Sequence, residues 1–209
     1  MLYLLRSALE STRQFMRSNL AQKRGISCPI DLRGLRTSKY IHLHCRQLRG
    51  RRTFSATAQA GSGTNSLDKS SGLVSERVEL ITLDSFVEKN GVDSISMLKI
   101  DTEGFDLAVL QGARQFLTDG RIELIQFEYN WRWLLNKASL LNVFKLAKDM
   151  PYLLGKLTGR SIEFYDAWHF ELDRYFENNY VLVRHGSSIE ELGNTVRFDN
   201  RNCPQSVRN

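Results

Sequence analysis

The chain has 209 residues, 42% apolar and 25% charged, which suits one soluble domain with a tail better than two full domains. No window approaches the 18 or more consecutive apolar residues of a helical membrane span, and that excludes the class. The net charge of +6 is uneven: residues 1–52 hold 12 Lys and Arg against Glu10 and Asp31, a local +10, so the rest of the chain totals −4 and the basicity is poor support for a nucleic-acid site.

Residues 1–52 are rich in Arg and Ser, and Leu5, Leu9, Phe15 and Leu20 could share part of a helix face. The segment reads as a basic leader, poorly ordered or similar to a mitochondrial transit peptide. Arg6, Glu10, Arg13 and Arg17 interrupt any secretory apolar core. Three scattered cysteines, Cys28, Cys45 and Cys203, make no disulfide scaffold and fit a reducing compartment. The expected location is cytoplasmic, with mitochondria as the alternative.

Thr53 to Ala60 reads as a strand, and residues 61–72 as a Gly/Ser/Asn-rich loop. From Arg77 short apolar runs alternate with helical patterns, the signature of an α/β domain with a mostly parallel sheet. The spacing predicts strand 78–82, helix 84–90, strand 95–101, helix 104–118, strand 122–128 and a helix over about 134–149. In the 104–118 segment Phe105, Ala108, Val109, Gly112, Ala113 and Phe116 recur at three-and-four spacing and should pack on the sheet. The run Ile122–Phe127 suits a strand buried on both faces. After Pro151, residues 152–157 and 161–165 flank a Thr158-Gly159 turn as two strands, and 180–184 closes the fold. The domain is therefore expected over 53–186, with 187–209 as a tail.

Ligands of open α/β sheets bind beyond the carboxyl ends of the strands. That rule selects Asp101-Thr102-Glu103-Gly104-Phe105-Asp106 and Glu128-Tyr129-Asn130. Acids and hydroxyls at a helix start also serve as caps, which is the commoner role for Asp106. Glu128 ends a run that should be buried, where an unpaired carboxylate is costly, so it is expected to line a cleft. Tyr129, Trp131 and Trp133 could wall a pocket or simply pack. Gly61-Ser62-Gly63 lacks the third glycine of a dinucleotide fingerprint, and His42, His44 and Cys45 lack a second cluster to complete a metal site. Neither a nucleophile elbow nor a P-loop occurs, and no metal is expected.

The order and spacing of Thr82-Leu83-Asp84, Lys99-Ile100-Asp101-Thr102-Glu103-Gly104, Val109-Leu110-Gln111-Gly112-Ala113 and Ile125-Gln126-Phe127-Glu128 resemble the FkbM-type methyltransferases. The resemblance covers about Thr53 to Arg184. It implies a Rossmann-like class I methyltransferase fold, S-adenosylmethionine as cofactor, and O-methylation of a sugar, lipid or secondary-metabolite hydroxyl. On that basis Asp101, Glu103 and Glu128 would act on the acceptor hydroxyl, Asp101 and Thr102 would touch the cofactor, and Tyr129 and Asn130 would touch the acceptor. A small-molecule, glycan or lipid acceptor is the partner implied. The family's opening strand with its glycine loop, and the acid after the second strand that holds the ribose, have no counterpart in residues 1–52. An N-terminally incomplete domain is expected, or alternatively a non-catalytic α/β interaction module.

Overall fold

The computed structural model describes residues 37–44, 50–56, 74–159 and 161–207, with side chains from residue 81 onward. The Gly/Ser loop and residues 1–36 lie outside the described residues. In chain order the strands are β1 (Thr37–His44), β2 (Gly50–Ala56), β3 (Val74–Leu80), β4 (Ser94–Asp101), β5 (Ile122–Tyr129), β6 (Tyr152–Leu157), β7 (Ile162–Tyr165), β8 (Asn178–Arg184), β9 (Gly193–Phe198) and β10 (Pro204–Val207). The helices are α1 (Leu83–Asn90), α2 (Asp106–Gln111), α3 (Arg114–Thr118), α4 (Arg132–Leu135) and α5 (Leu140–Ala147).

The main sheet has the order β1-β4-β5-β8-β6-β7-β9-β10, while β2 and β3 form a separate antiparallel pair. The α/β class holds, but the sheet is mixed and not mostly parallel. Pairings β1–β4, β4–β5 and β7–β9 are parallel; β5–β8, β8–β6, β6–β7 and β9–β10 are antiparallel. The physical reason lies in the connections. A parallel pair needs a crossover of a dozen or more residues, and helices supply one between β4 and β5. Beyond α5 the chain turns tightly at Thr158, whose backbone N–H donates to the Ser161 carbonyl at 2.9 Å, and a turn that short joins only antiparallel strands.

Several sequence expectations change accordingly. The strand expected at 78–82 is β3, outside the main sheet. Strand β1 and the start of β2 fall within the segment read as a leader, and the region read as a tail contributes β9 and β10, with Val196 buried. Strand β8 does not close an edge but lies between β5 and β6, and Tyr180, Val181, Leu182 and Val183 are all buried there. Ile122–Phe127 is not buried on both faces: Ile125, Phe127 and Tyr129 join the main core, whereas Leu124, Gln126 and Glu128 on the other face are only half-buried.

The helix expected over 104–118 is two short ones. It starts late because Glu103 (φ 55°) and Gly104 (φ 99°) are left-handed, and it breaks at Gly112-Ala113. The break is stabilised by Asp84. Its two carboxylate oxygens accept the backbone N–H groups of Gln115 and Phe116, each at 3.0 Å, and so cap α3 from the start of α1. Thr82 caps α1 by accepting from Ser85 N–H at 3.2 Å. Caps of this kind contribute about 0.5–2 kcal/mol each, so the Thr-Leu-Asp and Val-Leu-x-Gly-Ala motifs meet as one structural joint. The helix expected over 134–149 is likewise split, because Lys137 (φ 53°) turns the chain after α4. A new helix then starts at Leu140, whose N–H donates to Asp173 at 2.7 Å.

Candidate functional site

The site is built at the carboxyl ends of β4 and β5. Parallel register aligns Lys99 with Gln126 and Ile100 with Phe127. Side chains alternate faces along a strand, so Ile100 and Phe127 enter the core while Lys99, Asp101, Gln126 and Glu128 share the opposite, half-exposed face. Lys99 Nζ pairs with Asp101 Oδ2 at 3.0 Å, and Gln126 Nε2 donates to Asn179 Oδ1 at 2.9 Å. Beyond Asp101 the left-handed turn projects Glu103, whose Oε2 lies 3.1 Å from Arg132 Nε. Glu128 Oε2 accepts from Asn130 Nδ2 at 3.1 Å.

Carboxylates therefore crowd one mouth. Glu128 is pushed up to about 7, first by burial and then by the negative fields of Asp101, Glu177, Glu103 and Asp106. Burial also raises Glu103; Arg132 opposes the rise, and Asp101 and Glu177 reinforce it. Asp106 is 1% exposed and is pushed up to about 7, mainly by burial, even though the Thr102 hydroxyl donates to its Oδ2 at 2.9 Å. Its Oδ1 receives the Glu128 backbone N–H at 3.4 Å, so a buried acid sits directly behind the end of β5. Among the described residues no group of three or more His, Cys, Asp and Glu side chains is arranged to hold a metal ion.

The structure thus brings Asp101, Glu103 and Glu128 together, as the strand-end rule expects. Thr102 and Tyr129 are placed differently. Thr102 is 1% exposed and turned onto Asp106. Tyr129 is also 1% exposed: its hydroxyl donates to Asp173 Oδ1 at 2.7 Å, and its ring packs among Trp133, Tyr175 and Tyr180. That is packing, and it follows from strand alternation, since Tyr129 shares the core face with Phe127. Asn130 is buried and binds Glu128 and the Arg132 backbone. Asp106 lies in the selected turn but reads from sequence chiefly as a cap; Glu177 was missed, and is recognisable only once Asn178 is known to pair with Tyr129 across β5 and β8. Trp131, against the Arg132 guanidinium, is 55% exposed, and Phe176, next to Glu177 in sequence, is 69% exposed.

Two parts that the resemblance implies for an S-adenosylmethionine site, the glycine turn and the ribose-binding acid, are not found among the described residues. Strand β1 ends beside Asp101, in register with His44, but Cys45 to Arg49 contain no glycine before β2 begins at Gly50. A glycine at such a turn lets the backbone approach a cofactor where a Cβ would collide. Because β2 and β3 leave the main sheet, no second parallel strand flanks β1 among the described residues to carry a ribose-binding acid.

No curated protein and no solved structure matches the chain. A family model does: the methyltransferase FkbM domain matches residues 11–175, from upstream of β1 through β7 to the turn that precedes β8. With that match over most of its length, the chain belongs to the FkbM methyltransferase family.

Proposed function

We propose that the mouth formed by Asp101, Glu103 and Glu128 binds a neutral hydroxyl compound and that Glu128 removes its proton during O-methylation. The observation that carries this reading is Glu128 itself, a half-buried carboxyl at the end of β5 with its proton affinity pushed up to about 7. A general base is most effective when its pKa lies near the working pH. Methyl transfer to oxygen otherwise demands mainly that acceptor and methyl group be held in line, and S-adenosylmethionine is the donor the family uses. Asp101 and Glu103 accept hydrogen bonds from acceptor hydroxyls and orient them. Asn130 fixes the rotamer of Glu128 through its 3.1 Å bond.

The charge of the mouth selects the acceptor. Glu177 adds its field to those of the other acids, and Arg132 is engaged with Glu103, so an anionic acceptor is repelled. The exposed rings of Trp131 and Phe176 provide apolar surface for an alkyl portion. An uncharged alkyl glycoside is therefore expected to accept label from methyl-labelled S-adenosylmethionine at least about tenfold faster than the same glycoside carrying a phosphate. Equal rates, or preference for the phosphate, would remove this reading of the site.

A second reading is favoured by the apolar group Trp131, Leu134 and Leu135, all exposed on and beside α4. It makes the chain a methyltransferase-derived docking module without catalysis. Calorimetry separates the two readings, because the module predicts no affinity for the donor together with a stable protein complex.

A further inference from the structure

One short segment, Asn130 to Asn136, touches two of the three carboxyl groups of the mouth, those of Glu103 and Glu128. Asn130 uses both ends of its amide: Nδ2 donates to Glu128 Oε2 at 3.1 Å, and Oδ1 accepts the Arg132 backbone N–H at 3.0 Å. The Arg132 side chain continues to Glu103 at 3.1 Å. Asn136 Nδ2, at the end of α4, donates to the Gly104 carbonyl at 3.0 Å. The segment also fills the space over Gly104, where an added Cβ would lie 2.9–3.0 Å from the Arg132 Cβ and backbone. On the other side the Trp133 indole N–H donates to the Glu128 carbonyl at 3.0 Å, which anchors the segment to β5.

The object being held is unfavourable by itself. A left-handed glutamate next to a left-handed glycine costs of order 1–3 kcal/mol and persists only where its surroundings over-determine it. Arg132 and Asn136 supply that determination, one on the Glu103 side chain and the other on the Gly104 backbone.

We propose that Asn130–Asn136 is a positioning clamp: Arg132 and Asn136 hold the Glu103–Gly104 turn, Asn130 holds Glu128, and the segment fixes the two carboxyl groups relative to each other across the mouth. Arg132 is thus a positioning residue for the acceptor site. The functional consequence rests on Glu128 being the proton acceptor, whereas the clamp itself is a property of the folded chain.

The test follows the side-chain carboxyl signals of 13C-labelled glutamate by NMR across pH in the full chain, with assignments from Glu103→Gln and Glu128→Gln. Arg132→Gln is expected to raise the Glu103 midpoint by about one pH unit, because an adjacent cation is lost. Arg132→Lys restores the charge without the planar fork and should fall between the two. The decisive variant is Asn136→Ala. It carries no charge and does not touch Glu103, yet it should also raise the Glu103 midpoint, because the freed turn loosens the ion pair. A Glu103 titration unchanged in Asn136→Ala or in Arg132→Gln overturns the clamp. A purely structural role would lower thermal stability and leave the titration where it was, which counts against the proposal. The titration needs neither donor nor acceptor, so its outcome does not depend on whether the methyl-transfer reading holds.

Discussion

Gly104→Ala is expected to destabilise the protein by about 2–5 kcal/mol. Two independent costs combine. At φ 99° an L side chain is strained, by roughly 1–2 kcal/mol. The new Cβ would also meet Arg132 Cβ at 2.9 Å and its backbone carbon and oxygen at 3.0 Å, so main chain and not merely a flexible tip must shift. Overpacking of that kind typically costs about 1–3 kcal/mol. Gly91 provides the control: it is also left-handed, at φ 62°, but nothing lies within 4 Å of the Cβ position. Gly91→Ala should therefore cost only about 1 kcal/mol. Urea denaturation of both variants checks the ranking, and a Gly104→Ala loss no larger than that of Gly91→Ala would contradict the packing of the turn against Arg132.

The second large effect is on stability against pH. Asp106 and Glu128 both bind protons more tightly when folded than when unfolded, each being pushed up to about 7 by burial and neighbouring acids. Below about pH 4 both are protonated in both states and cost nothing. Between about pH 4 and pH 7 the unfolded chain releases these protons and the folded chain keeps them, so stability falls as pH rises, then levels off above pH 7. For Asp106 the penalty approaches about 4 kcal/mol as an upper bound; for the half-exposed Glu128 solvent screening reduces it to about 1–2 kcal/mol. Asp106→Asn keeps an acceptor for the Glu128 N–H and a partner for the Thr102 hydroxyl but removes the charge. It should be more stable than the parent at pH 8 by about 1–3 kcal/mol, and the difference should shrink toward pH 4. Paired urea titrations at pH 4, 6 and 8 check this, and a difference that does not change with pH would contradict it.

The parts of the site legible in the sequence are those that depend on strand geometry alone. An apolar run ending in Asp101, followed by another ending in Glu128, puts two acids at neighbouring strand ends whenever the strands are parallel and adjacent, and they are. The position of β8 was not legible, because a buried Val-Leu-Val run satisfies a central strand as well as an edge strand facing a packed layer, and its order depends on contacts distant in sequence. Glu177 was hidden for the same reason. The direction of Tyr129 follows from period-two alternation once Phe127 is in the core, whereas reading the run as buried on both faces erased that distinction. The helix breaks at Gly112 and Lys137 were obscured because apolar periodicity continues across them; the caps from Asp84 and Asp173 come from other parts of the chain.

Whether Glu128 is the proton acceptor is decided by the pH dependence of methyl transfer from labelled S-adenosylmethionine to an alkyl glycoside, compared between the parent chain and Glu128→Gln. Transfer should rise as pH increases through about 7, where Glu128 ionises. The variant should lose about 10²–10⁴-fold in rate, and the rise with it. Transfer absent from the parent, or a rate and pH profile left unchanged by Glu128→Gln, would contradict the assignment.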